Sequence, residues 1–283
     1  MKKIVSLLIV TIMLSVTFTG CKKKKGNPPV LPPFESMAID FSDFGSGKKS
    51  ADAVFGAKDV PDPDENYMFS ATMVGLWNAI LAVNLVVPVT AFKLAINNTP
   101  LWVTDKTWEW KYNVTGVTGT YKARLVGIIQ SDKVKWEMFI TREGTGAFAE
   151  FLWFDGTTAL DGNSGVWNLN HSQQFQEPYI KIEWSKTGTN IGSVKYTYVR
   201  TQTDARATDK FKNSYIQYGL TTGSLNAFYT MRLFESTVIN DFVDILIEWN
   251  STAGNGRVKA FYKFGDNNWH CWDIEKNNIV CPA

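Results

Sequence analysis

TWEWKYNV, Thr107–Val114, puts Trp108, Trp110, Tyr112 and Val114 on one side of an extended backbone and Glu109, Lys111 and Asn113 on the other. Successive side chains of a strand point to opposite faces, so this alternation marks a half-buried antiparallel strand. The same period of two recurs toward the C-terminus in TYKARLVGII, DKVKWEMFIT, AFAEFLWF, SGVWNLN, YIKIEW, SVKYTYV, NSYIQYG, NAFYTMRLF, DFVDILIEW and GRVKAFYKF, with WHCWDI as a weaker member. Turn signals such as EGTG, DGTTALDGNSG, KTGTNIG, TTGS and STAGNG separate these runs. The gaps leave no room for crossover helices. A mainly β chain is therefore expected, built as one large curved antiparallel meander sheet or half-barrel of about eleven strands.

An internal echo agrees with this. IEWSKTGTNIGSVKYTY (Ile182–Tyr198) and IEWNSTAGNGRVKAFY (Ile247–Tyr262) share IEW and a later G-x-V-K-x-x-Y, and both read as hairpins, either by duplication or as two similar solutions to one turn. Glu183 and Glu248 occupy equivalent places. Paired carboxylates can do acid and base work, but strand glutamates beside lysines read here as a solvated face.

The stretch FSATMVGLWNAILAVNLVVPVTAF, Phe69–Phe92, holds no charged residue. Apolar nearly all round, it belongs either in lipid or in a protein interior. Ser70, Thr72, Asn78, Asn84 and Pro88, with no basic loop on one side, argue for the interior. The expectation is a helix from about Tyr67 to Val87, broken at Pro88, then a short second helix ending near Asn97. Asp64, Glu65 and Asn66 stand at its positive end. It is the N-terminal apolar cover of the sheet.

At the N-terminus, Lys2 and Lys3 precede an apolar run from Ile4 to Phe18, followed by Thr19, Gly20 and Cys21. This is the layout of a secretory signal, too short to be a span. FTGC resembles the lipobox of bacterial lipoproteins. The resemblance implies a signal peptide over residues 1–20, removed before Cys21, and a Cys21 that carries lipid and anchors the chain without spanning the membrane. KKKKGNPPVLPPFES then reads as a Lys/Pro-rich tether, residues 21–36, in extended polyproline geometry. An irregular segment (37–65) and a helix-plus-sheet domain (66–283) follow. In enteric bacteria, lipoproteins with a residue other than aspartate after the acylated cysteine usually go to the outer membrane, and Lys22 fits that pattern. A cell-envelope, lipid-anchored protein is expected.

With its 29 basic side chains reduced to 27 by loss of Lys2 and Lys3, the mature chain balances its 27 acidic ones. Nucleic-acid binding has no electrostatic support. The chain has only two histidines, His171 and His270. Neither lies in a nucleophile motif, and two are too few for a histidine metal cluster. GSGKKS (Gly45–Ser50) lacks the phosphate-loop spacing. Asp62–Asn66 and Asp161–Gly165 are rich in oxygen, but Met73 stands where the first would need its closing glutamate. No catalytic residue, metal ligand or cofactor is assigned. Cys271 and Cys281 remain as two thiols in an oxidising compartment, and a disulfide between them is expected.

A buried helix against an antiparallel sheet behind a lipobox resembles, in outline, the half-barrels of the LolA/LolB and LppX-type lipoprotein and lipid carriers. In those families the concave face receives acyl chains, although their helices are interleaved with strands. The resemblance implies an apolar ligand, a lipid for instance, held between helix and sheet. Trp77, Trp108, Trp110, Tyr112, Trp136 and Trp153 are the candidate contacts. Apolar residues on faces that alternation would make wet, Phe139, Phe151, Phe154 and Phe234, point the same way. Two other readings stay open: a structural lipoprotein, or one that binds an envelope partner, with a dry core; and a glycan-binding surface protein that stacks sugars on Trp108, Trp110 or Tyr112.

Overall fold

The computed structural model describes residues 26–38, 41–44, 65–116 and 119–282. Cys21, Lys22–Lys25, the signal sequence, GSGKKS and Asp62–Asp64 lie outside the described residues. One helix, α1 (Glu65–Ala95), precedes a single antiparallel sheet whose strands pair strictly in chain order and do not close. The strands are β1 (Leu101–Thr104), β2 (Thr107–Gly116), β3 (Gly119–Ile129), β4 (Lys133–Arg142), β5 (Phe148–Ala159), β6 (Ser164–Asn170), β7 (Pro178–Thr187) and β8 (Asn190–Tyr198). They continue as β9 (Tyr215–Leu220), β10 (Ala227–Glu235), β11 (Asp241–Trp249), β12 (Gly256–Lys259), β13 (His270–Trp272) and β14 (Asn278–Ile279).

Fourteen strands replace the expected eleven or so. β1 and β14 are edge strands of four and two residues, fully exposed, and so carry no alternation to read. GRVKAFYKF is only half a strand: after Lys259 the chain turns into a short helix, α2 (Phe261–Phe264), stopped by Gly265 at φ 76°. The two echoing segments are hairpins, β7–β8 and β11–β12.

Alternation decides the two sheet faces. Trp110, Leu125, Met138, Trp167, Ile182, Tyr196, Met231 and Ile245 are buried in one core with α1. The other face carries ion pairs: Arg124 between Glu109 and Glu150, Lys135 with Glu137, Lys181 with Glu183, and Arg257 with Glu248. Such exposed pairs contribute at most about 1 kcal/mol each. Glu183 and Glu248 thus sit on the ion-paired outer face.

One register shift changes the reading of the phenylalanines. Met138 pairs with Phe154 and Phe139 with Leu152, which leaves Trp153 as a bulge residue in β5. Phe151 and Phe154 both turn inward and are buried. Phe139 stays outside beneath the Arg124 guanidinium, 4.1 Å from its ring centroid, and Phe234 packs between Phe211 and Phe242.

The helix is a single run whose arms, Glu65–Ala82 and Val87–Ala95, meet at 69°. Its bend falls in the turn before Pro88, whose ring clashes with the preceding turn and which offers no N–H. Among the described residues no single helix is long and apolar enough to cross a membrane, although the two arms together pass on length and composition. Phe69, Met73, Trp77, Leu81, Leu85 and Phe92 are buried within the protein. The start of α1 touches the last strands: the Asn66 N–H donates to Asn278 Oδ1 at 3.0 Å, and Asn66 Nδ2 donates to the Cys271 carbonyl at 2.9 Å. Its end touches β2, where the Tyr112 hydroxyl donates to the Ala91 carbonyl at 2.6 Å.

The N-terminal segment departs from the tether expected over residues 21–36. Pro29 and Pro32 are buried, with Pro29 over Gly127, where a Cβ would meet its ring at 3.0 Å. Ser36 accepts a bond from Trp167 Nε1, Phe41 stacks on Tyr229, and Asp43 accepts a bond from Trp249 Nε1. This strap therefore crosses the sheet from β3 toward β13, and α1 crosses back. Proline rings bury cheaply because they bring no N–H that needs a partner.

The β10–β11 turn is held by Glu235, which accepts N–H groups from Thr237, Val238 and Ile239 and the Thr237 hydroxyl. Burial raises the Glu235 carboxyl, and these bonds outweigh it, holding it at about 2. A depressed carboxylate stabilises the fold above its unfolded pKa, near 4.5, and the contribution fades as pH falls toward 2. Glu235→Gln should cost about 1 to 2 kcal/mol at neutral pH. In urea melts its difference from wild type should shrink below pH 4.5, whereas a constant difference would deny the carboxylate this role.

Candidate functional site

The bend of α1 opens a cavity of about 290 Å³ between helix, strap and sheet. Leu81 and Ala82 line it from the first helix arm, Leu85 from the bend, Val89 from the second arm, Ala38 and Phe41 from the strap, and Tyr196 from β8. Asn78 and Thr90 add polar groups at the helix side. A second cavity, about 330 Å³, lies on the other side of Ala38, lined by Pro33, Glu35, Thr189, Asn190, Ile191, Val194 and Tyr218. The first is the more apolar.

None of the six residues expected to contact a ligand lines the first cavity. Trp77 points inward from α1 and is buried; among the described residues no acceptor reaches its Nε1. Trp108 and Trp110 are 3% and 2% exposed, so neither offers a ring face to a sugar. Tyr112 is tied to α1 as described, and burial pushes its phenol up. Trp136 is buried beside Trp110 and donates to Thr158 Oγ1 at 2.9 Å. Trp153, half-buried on its bulge, packs against Tyr121 and Phe151. Leu81 and Leu85 stand i, i+4 on the helix. Ala38 and Phe41 carry no sequence signal, because they follow no period.

One polar cluster escaped the sequence reading. His171 lies between Phe175 and Tyr179, while Arg200, 7% exposed, bridges Glu177 and Asp204. The Tyr198 hydroxyl donates to Asp209 at 2.7 Å. Burial first, then the Arg200 charge, holds His171 below its usual range. The ion pairs tie the β6–β7 loop to the β8–β9 loop, which is a structural duty. Asp161 likewise serves a turn, accepting the Asn163 N–H and amide.

Cys271 and Cys281 form a disulfide, Cα to Cα 5.2 Å. It secures the hairpin whose Asn278 caps α1.

The chain matches no family model, no curated protein and no solved structure. The site's chemistry is the guide to its use.

Proposed function

We propose that the chain is an envelope lipoprotein, held to a membrane through lipid on Cys21, that binds a small apolar ligand in the cavity at the bend of α1. The carrying observation is the cavity itself. It is a cleft open to solvent on one side, lined mainly by apolar side chains, with a volume of about 290 Å³ at the lower end of ligand-site sizes. It suits a bicyclic compound or part of an acyl chain. The protein acts as a carrier or sensor.

The finer shape is a half-barrel spanned by α1. From β2 to β13, eleven strand spacings of about 4.8 Å would separate the contacts of α1 by about 53 Å in a flat sheet. From Asn66 to Ala91 a straight helix spans only about 38 Å, and this one is bent. The sheet must curve around it. The strap shortens the leash, since the chain already packs on the sheet from Pro29 onward. The domain is thereby held close to the anchoring membrane, read as the outer membrane.

The cavity reading is tested by Ala82→Phe. Ala82 is exposed on the rim, so the added ring should fill space without disturbing the core. Binding of an anilinonaphthalene probe, followed by fluorescence, should fall about tenfold or more while the melting temperature holds. Unchanged probe affinity would remove the cavity from the account. For the anchor, Cys21→Ser should give a protein without acyl mass that leaves the membrane fraction; normal retention of the correctly processed variant would overturn lipidation. A structural or partner-binding lipoprotein is the second reading, favoured by the strap, which already occupies much of the concave face.

A further inference from the structure

One side of β11 is open for half its length. β10 pairs with β11 from Asp241 to Trp249, whereas β12 pairs only with Leu246–Trp249. The chain leaves the sheet at Ala260 to form α2. Among the described residues, no strand lies beside Asp241–Ile245 on that side. A groove of about 620 Å³ occupies the place. Apolar side chains in its walls are open to solvent, Phe261 61% exposed, Ile239 42% and Leu246 37%, beside the polar Asp244, Lys259 and Asn267.

The open edge of β11 presents backbone groups spaced for one kind of occupant, another extended chain; the Asp241 carboxylate now accepts the Phe242 N–H on this edge, and an added strand would displace it. A bilayer cannot satisfy them, and a helix has spent its own. Both rims of the groove are fixed in advance. Glu235 holds the turn that carries Ile239. α2 is pinned by Tyr262 and Phe264, which pack on Phe69 with ring centroids 5.9 and 5.7 Å away. A preformed groove loses little entropy on binding. Lys259, also in the groove, lies 4.8 Å over the Trp269 ring and has no carboxylate partner among the described residues.

We propose that this notch binds an extended segment of a partner protein, which adds as a strand along Asp241–Ile245. Its alternate side chains are apolar and meet Ile239, Leu246 and Phe261; an acidic residue meets Lys259. The notch is independent of the cavity at the helix bend.

The test pans a displayed library of random linear peptides on the full chain carrying Cys21→Ser. Enriched peptides should alternate apolar residues and include an acid. Their binding should slow amide hydrogen exchange at Asp241–Ile245 and weaken about tenfold in Leu246→Thr and in Phe261→Asp, both surface changes that should leave the melting temperature in place. No enrichment would overturn the proposal, as would peptides indifferent to both substitutions or protection confined to other strands. Self-association of the wild type that Phe261→Asp abolishes would assign the notch to a second copy and also overturn it.

Discussion

Replacing Trp77 with alanine should lower the stability of the domain by about 3 to 5 kcal/mol, the usual cost of truncating a fully buried Trp. The indole is buried near the middle of α1, within the core that the helix shares with the sheet. Deleting it leaves a void that neither the helix nor the strands can close, since α1 is fixed at both ends, by Asn278 and by Tyr112. Trp77→Phe should cost far less. It keeps most of the ring and removes an N–H that no described acceptor reaches, a group that is itself costly to bury. Urea unfolding at constant m-value checks both variants. A Trp77→Ala protein that melts like wild type yet loses apolar ligand would make α1 a lid in place of a core element.

Breaking the Cys271–Cys281 disulfide should cost about 2 to 3 kcal/mol by loop entropy alone. The loss should exceed that of an ordinary terminal staple, because the hairpin it closes supplies Asn278, acceptor of a helix-start N–H that has no partner within α1. Asn66 returns the contact through the Cys271 carbonyl. The double variant Cys271→Ser, Cys281→Ser should therefore show faster hydrogen exchange both in β14 and in the first turn of α1. Protection lost only at the C-terminus would separate the disulfide from the helix cap. Thiol labelling of the exported, denatured protein should stay silent until reductant is added.

The strands from β2 to β11 could be read from the chain because each has one wet face and one dry face, and TWEWKYNV shows that contrast residue by residue. β1 and β14 could not, since an edge strand exposed on both faces shows no contrast. Trp153 misleads for a related reason: a bulge moves one residue out of phase, so Phe151 and Phe154, three apart, share the interior. The strap was hidden by its prolines, which make a packed segment look like a solvated tether. The candidate site was the least legible part. Aromatic residues on regular strands identify the core, and that is where Trp108, Trp110 and Trp136 lie. Space in a core arises where regularity fails, here at the Pro88 bend and beside Ala38 and Phe41. The break could be read from the sequence; what faces it could not.

An apolar ligand held in the cavity at the helix bend should leave the membrane with the protein. Mass spectrometry of an organic extract tests it most directly, made from the acylated protein purified out of its own membrane and, in parallel, from the Ala82→Phe variant. One reproducible apolar species besides the chain's own acyl groups is expected, near one per chain in the wild type and missing from the variant. An extract with no such species, or the same species at equal occupancy in both proteins, would contradict it.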